Sequence, residues 1–236
     1  MRPPTASVHL LAWGSDEHRP AWLRATAGEK RYLIELSMLV LIGLQFAIPA
    51  GFALPPRFLA PAVEVALLLA IIAMHRGTSA RRTPTIRIAA QVLLGLVTAT
   101  NTIALGLLVH DIVTGAHIAA SKLLLGGAEI WLTNLGVFGI WLWEYDRGGP
   151  THRAHGRDVQ PDLLFPQMTD EHLAQDWEPT VIDYLYVSYT NAVAFSPTDT
   201  MPLTRWAKGL FALESFISVV TVLLVAARAV NVFPAG

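Results

Sequence analysis

Five long apolar runs, separated by short polar breaks, restrict this chain to very few folds. They extend over residues 32–53, 58–74, 86–113, 118–143 and 204–230. A helix needs about 20 apolar residues to cross a hydrocarbon core of about 30 Å, because lipid offers no hydrogen-bond partner to a free backbone group. The runs meet or approach that length. They predict an all-α, polytopic bundle in a lipid bilayer, with five long transmembrane helices.

The composition favours the same class and excludes several functions. Hydrophobic residues make up 53% of the chain, charged residues make up only 15%, and the formal net charge is −1. Without an overall basic field, the chain is not expected to bind nucleic acid. It has no cysteine, which excludes a disulfide framework, a thiolate metal site and a cysteine nucleophile.

No catalytic or cofactor motif lies between the runs. The histidines lack the i, i+4 spacing of a helical zinc site, and the sequence contains neither a phosphate-binding glycine loop nor a nucleophile elbow. We therefore expect no metal, no cofactor and no enzymatic activity.

The chain divides into four parts by hydropathy. They are a cytoplasmic or interfacial N-terminal segment (1–31), a four-helix transmembrane region (32–145), a polar loop (146–179) and a pore-like helical hairpin (180–236). Within the hairpin, residues 180–195 are less apolar, and Asp183, Thr190 and Asn191 share one helical face. We expect a short fifth helix that crosses the membrane with this face toward other helices or water.

The basic residues indicate an orientation. Arg and Lys are concentrated in residues 1–31, 76–87 and 147–157, whereas the alternate gaps contain few of them. By the positive-inside rule these three segments face the cytoplasm. With six crossings, the C-terminus is expected in the cytoplasm as well, in a multi-pass protein of the inner membrane.

Residues 182–230 match, in order, the motif of one known family. The matching residues are Asp183, Leu185, Tyr186 and Ser188, then Asp199, Pro202 and Thr204, then Ala207 and Lys208, with Glu214 and Ala227-Arg228 further on. This stretch resembles the pore helix, filter and inner helix of the potassium-channel superfamily. The resemblance implies a homo-oligomer, with a tetramer favoured, that passes ions. With Phe165-Pro166 and the four preceding runs, the chain also resembles an uncharacterised domain-of-unknown-function family of bacterial inner-membrane proteins.

The channel resemblance assigns roles within the hairpin. The residues at the filter position are Phe195, Ser196, Pro197, Thr198 and Asp199. The residues expected to support the pore helix are Asp183, Tyr186, Ser188 and Asn191. The inner helix contributes Glu214, Ser215, Ser218 and Thr221. Of these, the small or hydroxylated residues Ser215, Ser218 and Thr221 are expected to face the conduit.

The filter position departs from the family pattern. A potassium filter needs glycines, which let successive carbonyl groups point at the axis, and residues 194–199 contain none. Pro197 also fixes its own backbone and restricts Ser196 to extended conformations. Potassium selectivity is therefore not expected, whereas hydroxyl and carboxylate groups of Ser196, Thr198 and Asp199 favour cations. The other interpretation is an ordinary turn between two helices.

Four further polar residues interrupt the apolar runs. They are Glu64, Asn101, Glu129 and Asn134. An ionisable group inside a bilayer costs about 2.5–3.5 kcal/mol on insertion scales, so it needs a partner or a function. These residues form either a proton or cation path or hydrogen-bonded contacts between helices. Gly126-Gly127, beside Glu129, predicts the close approach of another helix.

Three functions follow from these patterns. The first is a channel-like protein that passes cations through a homo-oligomeric pore. The second is a non-conducting membrane assembly or signalling protein that retains a pore-like hairpin. The third is a proton-coupled transporter that uses Glu129.

Overall fold

The structure, a computed structural model, describes residues 19–74, 83–116, 118–156, 160–169, 175–196 and 199–232. Seven α-helices account for most of these residues. They are α1 (Arg31–Ala47), α2 (Leu59–Met74), α3 (Pro84–Val113), α4 (Ala120–Tyr145), α5 (Pro150–Ala154), α6 (Val181–Ala194) and α7 (Arg205–Val232). Two short strands, β1 (Leu163–Leu164) and β2 (Met201–Pro202), form an antiparallel pair. The prediction of a helical fold is confirmed.

Three helices of the described residues are long and apolar enough to cross a membrane. They are Pro84–Val113, Ala120–Gly148 and Arg205–Arg228. α2 is also apolar but has only 16 residues, and α1 has 17. α1 stops before Pro49, because a residue that precedes proline disfavours the helical conformation.

Neighbouring residues explain where two of the helices begin. The Thr83 side chain caps α3 by accepting a hydrogen bond from the backbone N–H of Ile86, and Pro84 occupies the first turn. Thr180 and Asp183 form a capping box at the start of α6. Both caps depend on residues three positions apart or fewer, so the local sequence is enough to specify them.

α4 lies at the centre of the bundle and packs against α1, α3, α6 and α7. Its glycines permit this packing. A Cβ atom on Gly127 would lie 2.7 Å from the Val225 side chain of α7, and one on Gly136 would lie 2.2 Å from that of Leu41 in α1. The predicted close approach of another helix at Gly126-Gly127 is confirmed.

The bundle has two ends. The loop end carries the segment between α4 and α6, where Glu29 accepts hydrogen bonds from the Trp143 indole at 2.8 Å and from the Val181 backbone N–H at 3.0 Å. The far end carries the turn between α3 and α4, where Arg228 of α7 donates to the Ala116 carbonyl at 3.1 Å. α1 and α3 begin at the loop end, and α2 and α4 begin at the far end.

α6 and α7 both begin at the loop end, and both run antiparallel to α4. The hydroxyl oxygen of Ser188, in the middle of α6, lies 2.6 Å from the Leu135 carbonyl oxygen of α4. At the start of α7, the ring of Trp206 lies 6.0 Å from the ring of Tyr145, the last residue of α4. Because α7 begins at the end where α6 began, the chain turns back between them, and α6 is a re-entrant helix.

The returning segment lies between Ala194 and Met201. Met201 of β2 pairs with Leu164 of β1, and the backbone N–H of Leu203 donates to the Asp162 carbonyl at 2.8 Å. The 14 residues of α6 extend about 21 Å, which is less than a hydrocarbon core of about 30 Å. β2 pairs with β1 at the end from which α6 starts, so α6 does not carry the chain to the far end as the predicted crossing helix would.

Because the chain turns back after α6, residues 21–26 and the last turns of α7 lie at opposite ends of the bundle. Residues 21–26 lie at the loop end, where the Ala21 N–H donates to the Gln175 carbonyl and the Thr26 N–H donates to the Ala154 carbonyl. The last turns of α7 lie at the far end. α1, α2, α3, α4 and α7 therefore run from one end of the bundle to the other, whereas α6 does not, and the side of the membrane on which each terminus lies stays a prediction.

Candidate functional site: the re-entrant hairpin and two buried carboxyl groups

The segment at the filter position begins at the inner tip of α6. Phe195 ends the helix in the left-handed conformation, with φ of 57°, and its side chain is 45% exposed. Ser196 and Asp199 are exposed, whereas Thr200 is buried. Pro197 and Thr198, which belong to the same prediction, lie outside the described residues. The described part of this segment thus faces outward from the single chain.

Glu214 of α7 is the centre of the contacts that hold α6. Its side chain is fully buried, and its two carboxyl oxygens each accept a hydrogen bond from α6. Asn191 Nδ2 donates to Oε2 at 2.8 Å, and the Ser188 hydroxyl donates to Oε1. Asn191 also donates to the Phe211 carbonyl at 3.1 Å and accepts a hydrogen bond from Ser215 at 3.0 Å.

The other two residues predicted to support α6 have different positions. Asp183 accepts a hydrogen bond from the Thr180 N–H at 2.7 Å and belongs to the capping box. Tyr186 is 53% exposed on the outer face of α6. Asp183 therefore stabilises the start of the helix, and Tyr186 faces outward from the single chain.

The polar residues of α7 face the interior of one subunit. Glu214, Ser218 and Thr221 are all buried, at the helical spacing that also buries Phe211 and Val225. Thr221 donates to the Ile217 carbonyl of its own helix at 2.8 Å. The burial of Ser218 and Thr221 does not agree with the expectation that they face a conduit shared between subunits, because α4 packs against this face of α7. Ser215, beside them, is half-buried.

Glu64 of α2 is a second buried carboxyl group with a similar environment. It is fully buried, and its oxygens accept hydrogen bonds from Gln45 Nε2 of α1 at 2.7 Å and from the Thr100 hydroxyl of α3 at 3.1 Å. The Thr100 hydroxyl also lies 3.1 Å from the Leu96 carbonyl oxygen and 3.0 Å from that of Val97. Glu64 therefore joins three helices through two donors.

A cavity connects the surroundings of Glu64 with the far end. It measures about 30 Å³ and is lined by Gln45, Thr100, Phe52 and Arg57 among others. A wider vestibule of about 440 Å³ also has Phe52 and Arg57 in its wall, together with Asp111 from the last turn of α3 and Lys122 from the first turn of α4. The two partners of Glu64 thus border a cavity that adjoins this vestibule.

The remaining predicted polar residues lie along α3 and α4. Asn101 donates to the Ile130 carbonyl at 3.3 Å. Five buried polar atoms of α3 and α4 have no hydrogen-bond partner among the described residues: Asn101 Oδ1, Glu129 Oε2, Trp131 Nε1, Thr133 Oγ1 and Asn134 Nδ2. The described hydrogen bonds join Glu64 to α1 and α3, and Glu214 to α6. The predicted set therefore falls into separate groups instead of one continuous cluster.

A network of charged residues at the loop end was not predicted. Asp146 is fully buried, accepts a hydrogen bond from the Tyr184 hydroxyl at 2.5 Å and pairs with Arg147 at 3.5 Å. Arg153 donates to the carbonyl oxygens of Trp143 and Asp146 at 2.7 and 2.9 Å. The network locks the polar segment onto α4 and α6. Its sequence signal is the position of Asp146 and Arg147 directly after an apolar run.

Glu29 belongs to this end of the molecule and lies before α1. Burial raises the pKa of Glu29, whereas the hydrogen bonds from Val181 and Trp143 and the charge of Arg153 oppose this shift. Glu144 nearby pairs with Arg87 at 3.1 Å.

Among the described residues, no three or more His, Cys, Asp or Glu side chains come together as a metal site.

Comparisons with known proteins give no relative for this chain. No family model matches it, and neither a curated protein nor a solved structure does. The likeness to potassium channels therefore depends on the residues of the hairpin alone.

Proposed function

We propose that this protein is a channel-like membrane protein that passes ions through a homo-oligomeric pore built around the α6–α7 hairpin. The observation that carries the proposal is the re-entrant course of α6. It places the segment after Ala194 about 21 Å from the start of the helix, which is within the depth of a bilayer.

Irregular backbone at that depth is stable only where protein buries it or where it lines a water-filled space, because lipid cannot hydrogen-bond its N–H and C=O groups. Phe195, Ser196 and Asp199 are exposed in the single chain. In an oligomer, further copies of the chain would bury part of this segment, and the rest would line a water-filled axis between the copies. A tetramer is favoured, because the hairpin resembles that of tetrameric channels.

The side chains of the returning segment favour cations. Ser196 offers a hydroxyl group and Asp199 a carboxylate, and rings of such groups select cations in channels. No glycine lies between Gly156 and Gly209, so the carbonyl ladder of a potassium filter has no counterpart here. The expected pore therefore prefers cations without potassium selectivity.

The positive-inside rule places the loop end in the cytoplasm. Basic residues at this end include Lys30, Arg31, Arg87, Arg147 and Arg153. The hairpin then enters the inner membrane from the cytoplasmic side, and α7 ends on the opposite side. In the potassium-channel superfamily the pore helix enters from outside, so the orientation proposed here is reversed.

The re-entrant course can be tested by cysteine labelling, since the chain has no cysteine of its own. Ala27→Cys, Leu203→Cys and Thr114→Cys each introduce one thiol at an exposed position. In sealed vesicles, a membrane-impermeant maleimide is expected to label the first two from one side and Thr114→Cys from the other. Labelling of Ala27→Cys and Leu203→Cys from opposite sides contradicts the proposal, because it requires α6 to cross.

Conduction itself is tested with purified protein in liposomes. We expect cation flux under a potential, and a lower preference for cations over anions with Asp199→Ala. The matched control is Asp176→Ala, which removes a carboxylate that is 96% exposed and lies outside the hairpin. The absence of flux for any common ion, in the parent protein and in Asp199→Ala alike, removes the channel function.

The non-conducting alternative predicts a different assembly. A protein that only retains a pore-like hairpin is expected to be a monomer or dimer, whereas a pore requires a ring. Light scattering of the protein in detergent measures the mass of the complex and distinguishes the two. A monomer that conducts no ions supports the non-conducting alternative.

A further inference from the structure

We propose that Glu64 is a proton-binding site that exchanges protons with water at the far end of the bundle. The site lies among α1, α2 and α3 and does not depend on the proposed pore. Its argument starts from the two donors that contact the carboxyl group, Gln45 and Thr100.

The Thr100 hydroxyl can accommodate both protonation states of Glu64. It has one hydrogen, and three oxygens lie within reach: Glu64 Oε1, the Leu96 carbonyl and the Val97 carbonyl. When Glu64 is ionised, the hydroxyl donates to the carboxylate. When Glu64 is protonated, its O–H donates to the Thr100 oxygen, and the Thr100 hydrogen turns to a backbone carbonyl. Neither state leaves a buried polar group without a partner.

Water can reach the two partners of Glu64. A water molecule needs about 10–15 Å³ of such space, and the cavity beside Gln45 and Thr100 measures about 30 Å³. This volume accommodates about two water molecules. Arg57 and Phe52 line both the cavity and the vestibule at the far end, so the cavity that the hydrogen-bond partners of the carboxyl group border adjoins the vestibule, and the proposed route passes these two side chains.

The surroundings favour a proton over a metal cation. Hard cations such as Ca²⁺ and Mg²⁺ take about six or more oxygen ligands, whereas an amide N–H and a hydroxyl group already occupy the two oxygens of Glu64. The charged groups along the route are Arg57 at the cavity, with Asp111 and Lys122 in the vestibule. The two basic groups repel metal cations, but they do not prevent proton transfer between water molecules.

The first experiment uses dicyclohexylcarbodiimide, an apolar reagent that adds to protonated carboxyl groups. With the full-length protein in vesicles, we expect an adduct on the peptide that contains Glu64, and we expect less of it as the pH rises from about 5 to about 9. Glu64→Gln is expected to abolish this adduct, and Glu129→Gln is expected to retain it. An adduct that is absent throughout, or constant with pH, overturns the proposal.

The second experiment tests access from the far end. Ala60→Cys places a thiol in the cavity wall, and Leu69→Cys places one on the same helix at a position that is 60% exposed on the outside of the bundle. A charged methanethiosulfonate, which reacts with thiolates in water, is expected to modify Ala60→Cys at least tenfold faster, and only from the side on which Thr114→Cys is labelled. Equal rates, or modification from the loop end, overturn the proposal.

Discussion

Glu64 and Glu214 have the same local chemistry in two different parts of the bundle. In each case an amide N–H donates to one carboxyl oxygen and a hydroxyl group donates to the other, and the hydroxyl also lies near a backbone carbonyl. The donors to Glu64 come from α1 and α3 and border a cavity. Both donors to Glu214 come from α6, and Ser188 also contacts α4.

This difference separates a site that water can reach from one that fixes a helix. Glu214 of α7 accepts hydrogen bonds from two side chains of the re-entrant helix, which packs against α4, so its carboxyl group stabilises the position of that helix. Glu64 has the same hydrogen bonds, but its partners border space that accommodates water. Two carboxyl groups with the same hydrogen bonds therefore have different roles, because the donors to Glu64 border a cavity whereas the donors to Glu214 belong to a helix that packs against α4.

The largest effect is expected from Glu214→Ala. The substitution leaves the Asn191 amide without its carboxylate acceptor and removes both hydrogen bonds between Glu214 and α6, so that, in the described part of the chain, only the contacts of Asn191 with Phe211 and Ser215 still join these helices by hydrogen bonds. Buried polar groups without a partner cost about 1–3 kcal/mol each, so we expect a loss of about 3–4 kcal/mol in the free energy of unfolding. Unfolding of the protein in detergent, followed by circular dichroism, measures it. Glu214→Gln, which retains a carbonyl oxygen, is the control and is expected to lose less.

A smaller effect is expected from Glu64→Ala. Water in the adjoining cavity can hydrogen-bond to Gln45 and Thr100 when the carboxyl group is absent, so we expect a loss of about 1–2 kcal/mol in the same measurement. Equal losses for Glu64→Ala and Glu214→Ala contradict the comparison, because they mean that water does not replace the carboxyl group at either site.

The smallest effect concerns Glu29, a half-buried carboxyl group outside the helices. Its pKa in the folded protein is raised above the ordinary value of 4.5, chiefly by burial. Protonation of Glu29 therefore stabilises the folded protein. This contribution is fully present at a pH below the ordinary pKa and is lost as the pH rises through the raised pKa of the folded state. We expect Glu29→Gln to weaken this loss of stability with pH, as measured by the unfolding temperature in detergent. Asp176→Asn is the control and is expected to leave the pH dependence unchanged.

Part of the candidate site follows from the sequence. Ser188, Asn191 and Glu214 were selected as polar residues of the hairpin, and the structure joins them by hydrogen bonds. Their mutual contact was not predicted, because it depends on the register between α6 and α7. Gln45 was missed, although a lone amide in an apolar run is a signal of a buried partner.

The sequence by itself determined the helices and the capping of α3 and α6. Lipid leaves the backbone no other hydrogen-bond partner, and the caps involve residues only a few positions apart. The re-entrant course of α6 was decided by the tertiary structure. Whether a helix of this length crosses depends on where the next segment is held, and the partner of β2 is β1, which precedes α6 in the chain. Hydropathy and charge describe each segment separately, so they contain no information about that pairing.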